Sequence, residues 1–207
     1  MDPIRWRIIS ENNDDSYQLY SEYILDAMSY CQLFDVRNVD GEEIYVNNYK
    51  YSNVRAWLNG YDGTGYEMPD YSNIGFYNLA FSEEEKEKII IHEVDNSLST
   101  TNSTSNDFLS ENTIDNIYLL SANDLENSNY GFTSYESRCA KVTDYAKAVG
   151  AYWYNSSTYK DQGYYWLRSP YGSSGNLAFY VYNDGGINSF ATLYEICGIR
   201  AACTIKS

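Results

Sequence analysis

The C-terminal quarter constrains the fold most. Residues 164–168, 178–182, 186–190 and 198–205 are rich in aromatic and β-branched side chains and read as four strands. The turn sequences S-P-Y-G (169–172) and N-D-G-G (183–186) separate the first three. The chain therefore ends in a block of strands joined by turns. The N-terminus predicts a second pairing. Residues 4–10 alternate Ile and Trp with Arg, residues 12–15 form a turn, and residues 17–25 give a partner strand.

Helix signals lie between these strand blocks without regular alternation. In S-N-V-R-A-W-L-N-G (52–60), Ser52 caps a short helix, Trp57 and Leu58 face inward, and Gly60 ends it. Residues 60–75 are a Gly-, Tyr- and Asp-rich surface loop. Residues 82–91 read as the clearest helix, opened by a capping box of Ser82 and Glu85. Residues 95–112 are of low complexity and read as a mobile loop, after which a strand resumes at 114–120. Ser121 and Asp124 open another short helix, and residues 143–149 a last one, stopped by Gly150. The fold class is therefore α+β, in one domain spanning 1–207.

Composition narrows the function. With 14 basic and 29 acidic residues the net charge is −15, a field that repels phosphate backbones, so no nucleic acid is expected as a partner. No apolar run approaches the roughly 20 residues of a membrane-spanning helix, so no membrane insertion is expected. Arginines interrupt the first residues, MDPIRWRII, which therefore do not read as a signal peptide. The bias is polar and aromatic: 24 Tyr against 7 Phe, with 21 Asn and 23 Ser. Tyr, Ser and Asn are the residues of adaptable contact surfaces.

The motifs of several common chemistries are missing. There is no phosphate-binding glycine loop, and G-S-S-G (172–175) is not a nucleophile elbow. Cys31, Cys139, Cys197 and Cys203 have no C-x-x-C spacing. Asp40-Gly41, Asp62-Gly63 and Asp184-Gly185 lack EF-hand spacing. The single histidine, His92, reads as a helix-terminal or solvent residue. No catalytic residue, metal ligand or cofactor is expected. Trp6, Trp57 and Trp166 read as core. Arg168 and Arg200 read as partly buried guanidiniums bonded to loop carbonyls and carboxylates.

An ordered set of motifs carries a resemblance. Y-W-L-R-S-P (165–170), A-F-Y-V-Y-N-D-G-G-I-N (178–188) and G-I-R-A-A (198–202) resemble a bacterial family of domains of unknown function. The pattern of that family is WWLRSP, then A-x-x-V-x-x-D-G, then GVRPA. P-I-R-W-R-I-I (3–9), L-Y-S-E-Y-I-L-D-A (19–27), S-N-V-R-A-W-L-N (52–59), F-Y-N-L-A-F-S-E-E-E-K (76–86) and Y-L-L-S (118–121) extend it over nearly the whole chain. Ala201 stands where the family has proline, and residues 60–75 form an insertion. The resemblance implies a C-type-lectin-like fold, shared with formylglycine-generating enzymes, with short helices around small, mainly antiparallel sheets and long loops. It is also similar to variable proteins of diversity-generating retroelements, in which asparagine codons near the C-terminus are rewritten. Such rewriting cannot produce Lys, Glu, Gln, Met or Trp, and residues 171–196 contain one of these, Glu195. The resemblance favours a cell-surface or extracellular location.

Strand alternation then selects a binding face. If Val181 points into the core, Tyr180 and Tyr182 point out, and Asn188 and Phe190 share a face of the next strand. Together with Tyr171, Ser173, Ser174 and Asn176 before them, and Leu193 and Tyr194 beyond, they make up the expected ligand-binding patch. The expected function is a non-enzymatic, receptor- or adhesin-like domain displaying this patch to a protein or glycan. The alternatives are an assembly module of a surface or phage-like particle, and an oxidase related to the formylglycine-generating enzymes. The latter needs two thiols together before its G-F-R motif, whereas Cys197 and Cys203 flank G-I-R.

Overall fold

A computed structural model describes residues 3–12, 14–32, 36–63, 68–101, 105, 107–192 and 196–206. The chain opens with the hairpin β1 (Trp6–Glu11) and β2 (Ser16–Ser21), then β3 (Asp26–Met28) and the ribbon β4 (Arg37–Val39) and β5 (Glu42–Ile44). Helices α1 (Asn53–Asn59), α2 (Phe76–Ala80) and α3 (Glu83–Lys86) lead to β6 (Ile89–Ile90) and β7 (His92–Val94). Then come α4 (Leu98–Thr101), β8 (Thr113–Asp115) and β9 (Ile117–Tyr118). After 3-10 turns at Asp124–Glu126 and Ser128–Tyr130 come α5 (Tyr135–Arg138) and α6 (Asp144–Ala148). The rest is β10 (Tyr165–Pro170), β11 (Leu177–Val181), β12 (Ile187–Ala191), β13 (Cys197–Ile199) and β14 (Ala202–Lys206).

The strands form two sheets and two ribbons. The first sheet runs β1-β2-β14-β6, with β9 also on β14; the second runs β12-β11-β10-β13-β3. All their pairings are antiparallel except β10 with β13. The fold is thus mixed helix and antiparallel sheet, as the α+β reading expects. One core unites the sheets, with Tyr20, Leu119, Tyr165, Trp166, Val181 and Ile199 at its centre.

The expected strand over 198–205 is broken in two. Residues 197–199 belong to the second sheet and 202–206 to the first, and fully buried Arg200 sits at the crossing. Its Nε donates to the Ser21 carbonyl at 2.7 Å, and Nη1 to the Arg138 carbonyl and the Tyr165 hydroxyl, both at 3.3 Å. The guanidinium lies 4.1 Å from the Tyr20 ring centroid. These bonds pin the point where the chain changes sheets. The expected strand over 114–120 is likewise split, β8 pairing β7 and β9 pairing β14. Here the Asn59 carboxamide oxygen accepts from the N–H groups of Asn116 and Ile117.

The expected helix over 82–91 is the largest departure. The Ser82–Glu85 capping box is present, but the helix is only Glu83–Lys86. Ile89 and Ile90 instead pair with Ile205 and Thr204. This helix buries no side chain, so nothing tertiary repays its extension, whereas the β-branched isoleucines gain a sheet. His92 consequently lies on a strand, half-buried and stacked on Tyr118, not at a helix end.

Candidate functional site

A tyrosine cluster forms on one face of the second sheet. Register places Tyr180 opposite both Trp166 and Asn188, and Ala178 opposite Phe190, so alternation gathers Tyr164, Trp166, Tyr180, Tyr182 and Phe190 on that face. The segment 152–163 folds back beside them. Tyr154 N–H donates to the Gln162 carbonyl at 2.9 Å, and Asp161 N–H to the Tyr154 carbonyl at 2.8 Å. Gly163 makes this return possible. A Cβ there would overlap the Tyr152 carbonyl oxygen and Val142 Cγ2, and approach Ile24 Cδ1 to 3.3 Å.

The rings pack in order. Tyr152 stacks on Tyr164 at 4.6 Å between centroids, and Tyr164 on Tyr182 at 4.4 Å. Tyr180 meets Tyr164 edge-on at 5.6 Å and stacks on Phe190 at 5.0 Å. Their hydroxyls form a chain, Tyr164 donating to Tyr154 at 3.3 Å, with Tyr154 and Tyr182 at 3.2 Å. Burial and the neighbouring hydroxyls push the Tyr164 pKa far up, and burial raises that of Tyr180 to about 12. Both therefore remain protonated at neutral pH, able to donate and accept.

The stack opens outward on an apolar rim. Tyr152 is 48% exposed, Val149 39% and Ile196 47%. Ile196 lies beside Gly150, where a Cβ would stand 3.9 Å from its side chain. Tyr145, one helical turn before Val149, is also exposed.

The structure brings together part of the expected patch and corrects the rest. Tyr182 and Phe190 are half-buried members of the cluster, and exposed Asn188 lies across from Tyr180. Tyr180 itself is not outward-facing in the sense expected, because it is only 5% exposed. Alternation assigned its face correctly, but that face is covered by Phe190 and the tyrosines of 152–164. Tyr171, Ser173, Ser174 and Asn176 belong to a different place, the opposite end of β11 from Tyr182. Tyr171 packs edge-on against Phe179, whose position alternates with Tyr180. Buried Asn47 donates to the carbonyls of Ser174 and Leu177, both at 2.9 Å, and so ties this loop down. Ser173 and Asn176 are exposed there. Leu193 and Tyr194 lie outside the described residues.

Sequence reasoning missed Tyr152, Tyr154, Tyr164 and the rim residues Val149 and Ile196. A signal existed, since residues 152–165 hold tyrosines at 152, 154, 159, 164 and 165. Elsewhere the chemistry is sparse. Cys197 and Cys203 are buried on strands of different sheets, and burial pushes the Cys203 thiol up to about 12. Among the described residues no His, Cys, Asp and Glu side chains gather as a metal site. No helix among them is long and apolar enough to cross a membrane.

Residues 14–207 match the family described as Domain of unknown function (DUF6273). No curated protein and no solved structure matches the chain.

Proposed function

The chain belongs to the DUF6273 family, and we propose that it is a non-enzymatic binding domain whose tyrosine cluster docks a protein partner. The observation that carries this reading is the exposed rim of Val149, Tyr152 and Ile196 on a self-packed tyrosine stack. A tyrosine anchor on a rigid base, flanked by apolar residues that exclude water from it, is the arrangement of a protein hot spot. A glycan site needs open ring faces ringed by polar groups, and aliphatic rim residues do not serve that purpose. The rings beneath are already ordered by each other, so binding costs little side-chain entropy. With a net charge of −15, the chain favours a neutral or basic partner surface.

The C-type-lectin-like reading is supported by where the resembling motifs lie. Y-W-L-R-S-P forms β10 in the middle of the second sheet, and G-I-R-A-A carries the crossing between sheets. Diversification by a retroelement draws less support. Within 171–192 the positions Ala178, Tyr180, Val181, Asn183 and Thr192 are buried, leaving Ser173, Asn176 and Asn188 as the exposed asparagine- and serine-type positions.

The test is binding of the purified domain to an array of proteins from the same genome and to a glycan array. The expected result is a protein ligand that loses about 30-fold in affinity, roughly 2 kcal/mol, with Tyr152→Ser plus Ile196→Ser. A glycan ligand lost in the same variant would replace the protein reading. Unchanged binding by the folded variant would remove the site assignment.

A further inference from the structure

We infer that the chain has a second binding site, for a neutral polyol of monosaccharide size, in a cavity between the first sheet and the turns after β9. The cavity has a volume of about 240 Å³, just below the roughly 300 Å³ at which pockets for drug-sized ligands begin. It shares no residue with the tyrosine cluster, so this inference goes beyond the proposed function.

The floor is fixed by a buried triad. Gln18 Nε2 donates to the Tyr118 hydroxyl at 2.9 Å, and that hydroxyl lies 3.3 Å from Thr204 Oγ1. One N–H of the Gln18 amide goes to Tyr118, and its carbonyl oxygen has no hydrogen-bond partner among the described residues. His92 lies nearly parallel to the Tyr118 ring at 4.9 Å and lines the cavity. Neither ring nitrogen of His92 has a hydrogen-bond partner among the described residues. The same holds for the Tyr130 hydroxyl, also on the lining. The site thus offers an amide acceptor, an imidazole and a phenol, each with unused capacity.

The wall is charged but internally balanced. Arg168 Nη1 donates to Asp124 Oδ2 at 2.6 Å and to the Leu119 carbonyl at 3.1 Å, and Nη2 to the Asp95 carbonyl at 3.2 Å. Arg168 is 5% exposed, and its Nε–H lacks a partner among the described residues. Asp124 also accepts from Ser121 N–H, and the Asp95 carboxylate from Ser97 N–H. An anion entering here would meet Asp124, Glu93 and Asp95 around a single guanidinium. A cation would meet Arg168, with two of those carboxylates already engaged. Burial and the nearby guanidinium hold His92 below its ordinary pKa, so it offers one donor and one acceptor. Hydroxyl groups, which both donate and accept, fit this set; a charged group of either sign does not.

Because His92 is the single histidine, its imidazole gives one pair of signals, Cδ2–H and Cε1–H, in a proton–carbon NMR spectrum. The probes are glucose, galactose, mannose, xylose and N-acetylglucosamine, with glucuronate and glucosamine as charged analogues. The expected result is a saturable shift of the His92 signals with at least one neutral sugar. Its charged analogue should bind at least about tenfold more weakly, and Gln18→Leu and Tyr130→Phe should each weaken binding about tenfold. Tyr130→Phe removes only a hydroxyl that has no partner among the described residues and so keeps the fold. Tyr152→Ser should leave the response intact. No saturable shift with any neutral sugar up to ~50 mM, a dissociation constant too weak for a built site, would overturn the proposal. So would equal binding of a charged analogue, unchanged binding by both cavity variants, or loss of the response in Tyr152→Ser.

Discussion

Asp115, only 1% exposed, faces Arg55 at 2.8 Å and accepts from Thr113 Oγ1 at 2.7 Å. Asp115→Asn keeps the shape but leaves a buried guanidinium without its counter-charge. It should lower stability by about 3–5 kcal/mol, read as a fall in the urea midpoint at unchanged slope. His92 gives a pH dependence of known sign. Its folded pKa is depressed by burial and then by Arg168, against the opposing pull of Asp124, Asp115 and Glu93. The unfolded chain therefore takes up the proton first, and stability is lost as pH falls below about 6.5 toward the folded value. His92→Phe, which keeps a ring on Tyr118, should be less sensitive than the wild type between pH 6.5 and 5 in thermal unfolding. The reading of Arg168 as a guanidinium tied to carbonyls and a carboxylate agrees with its contacts, because a lone arginine among aromatic and aliphatic residues has few other ways to be satisfied. That of His92 failed because the residue lies on a strand paired with Thr113–Asp115 and stacks on Tyr118, neither of which a local helix pattern reveals.

Local signals located the starts of α1, α3 and α6, missed α2, α4 and α5, and misjudged the length of α3. Ser52 accepts from Arg55 N–H at 3.1 Å and donates to the Tyr49 carbonyl at 2.9 Å, and Gly60 closes α1 at φ 66°. Both ends were legible because caps are set by residues within one turn. Ser52→Ala should cost about 1–2 kcal/mol, measured by chemical denaturation, since the residue is also fully buried. The run 82–91 carries an equally good cap, yet its continuation was decided by β14, which no local pattern reveals. The same limit hid the tyrosine cluster. Five tyrosines in 152–165 are plain in the sequence, but their return across the second sheet depends on the absence of a Cβ at Gly163. Gly163→Ala should separate that segment from β10. Tyrosine fluorescence and near-ultraviolet circular dichroism should both change, with a loss of about 1–3 kcal/mol from overpacking.

At the scale of the molecule, two sheets meet at a single buried arginine, and each sheet presents a different chemistry. The strand blocks at the two ends of the chain were visible in periodicity. Which of their faces would be covered was not, because alternation divides a strand into two sides without saying what lies over either. Hence Tyr180 belongs to the face expected of it and is buried there all the same. The binding role assigned to the tyrosine cluster is tested most directly by a photo-crosslinking residue placed at Tyr152, with exposed Glu84 as the control position, in cells expressing the chain. The account predicts one discrete protein adduct from position 152 and none from position 84. No adduct at 152, or the same adducts from both positions, would contradict it.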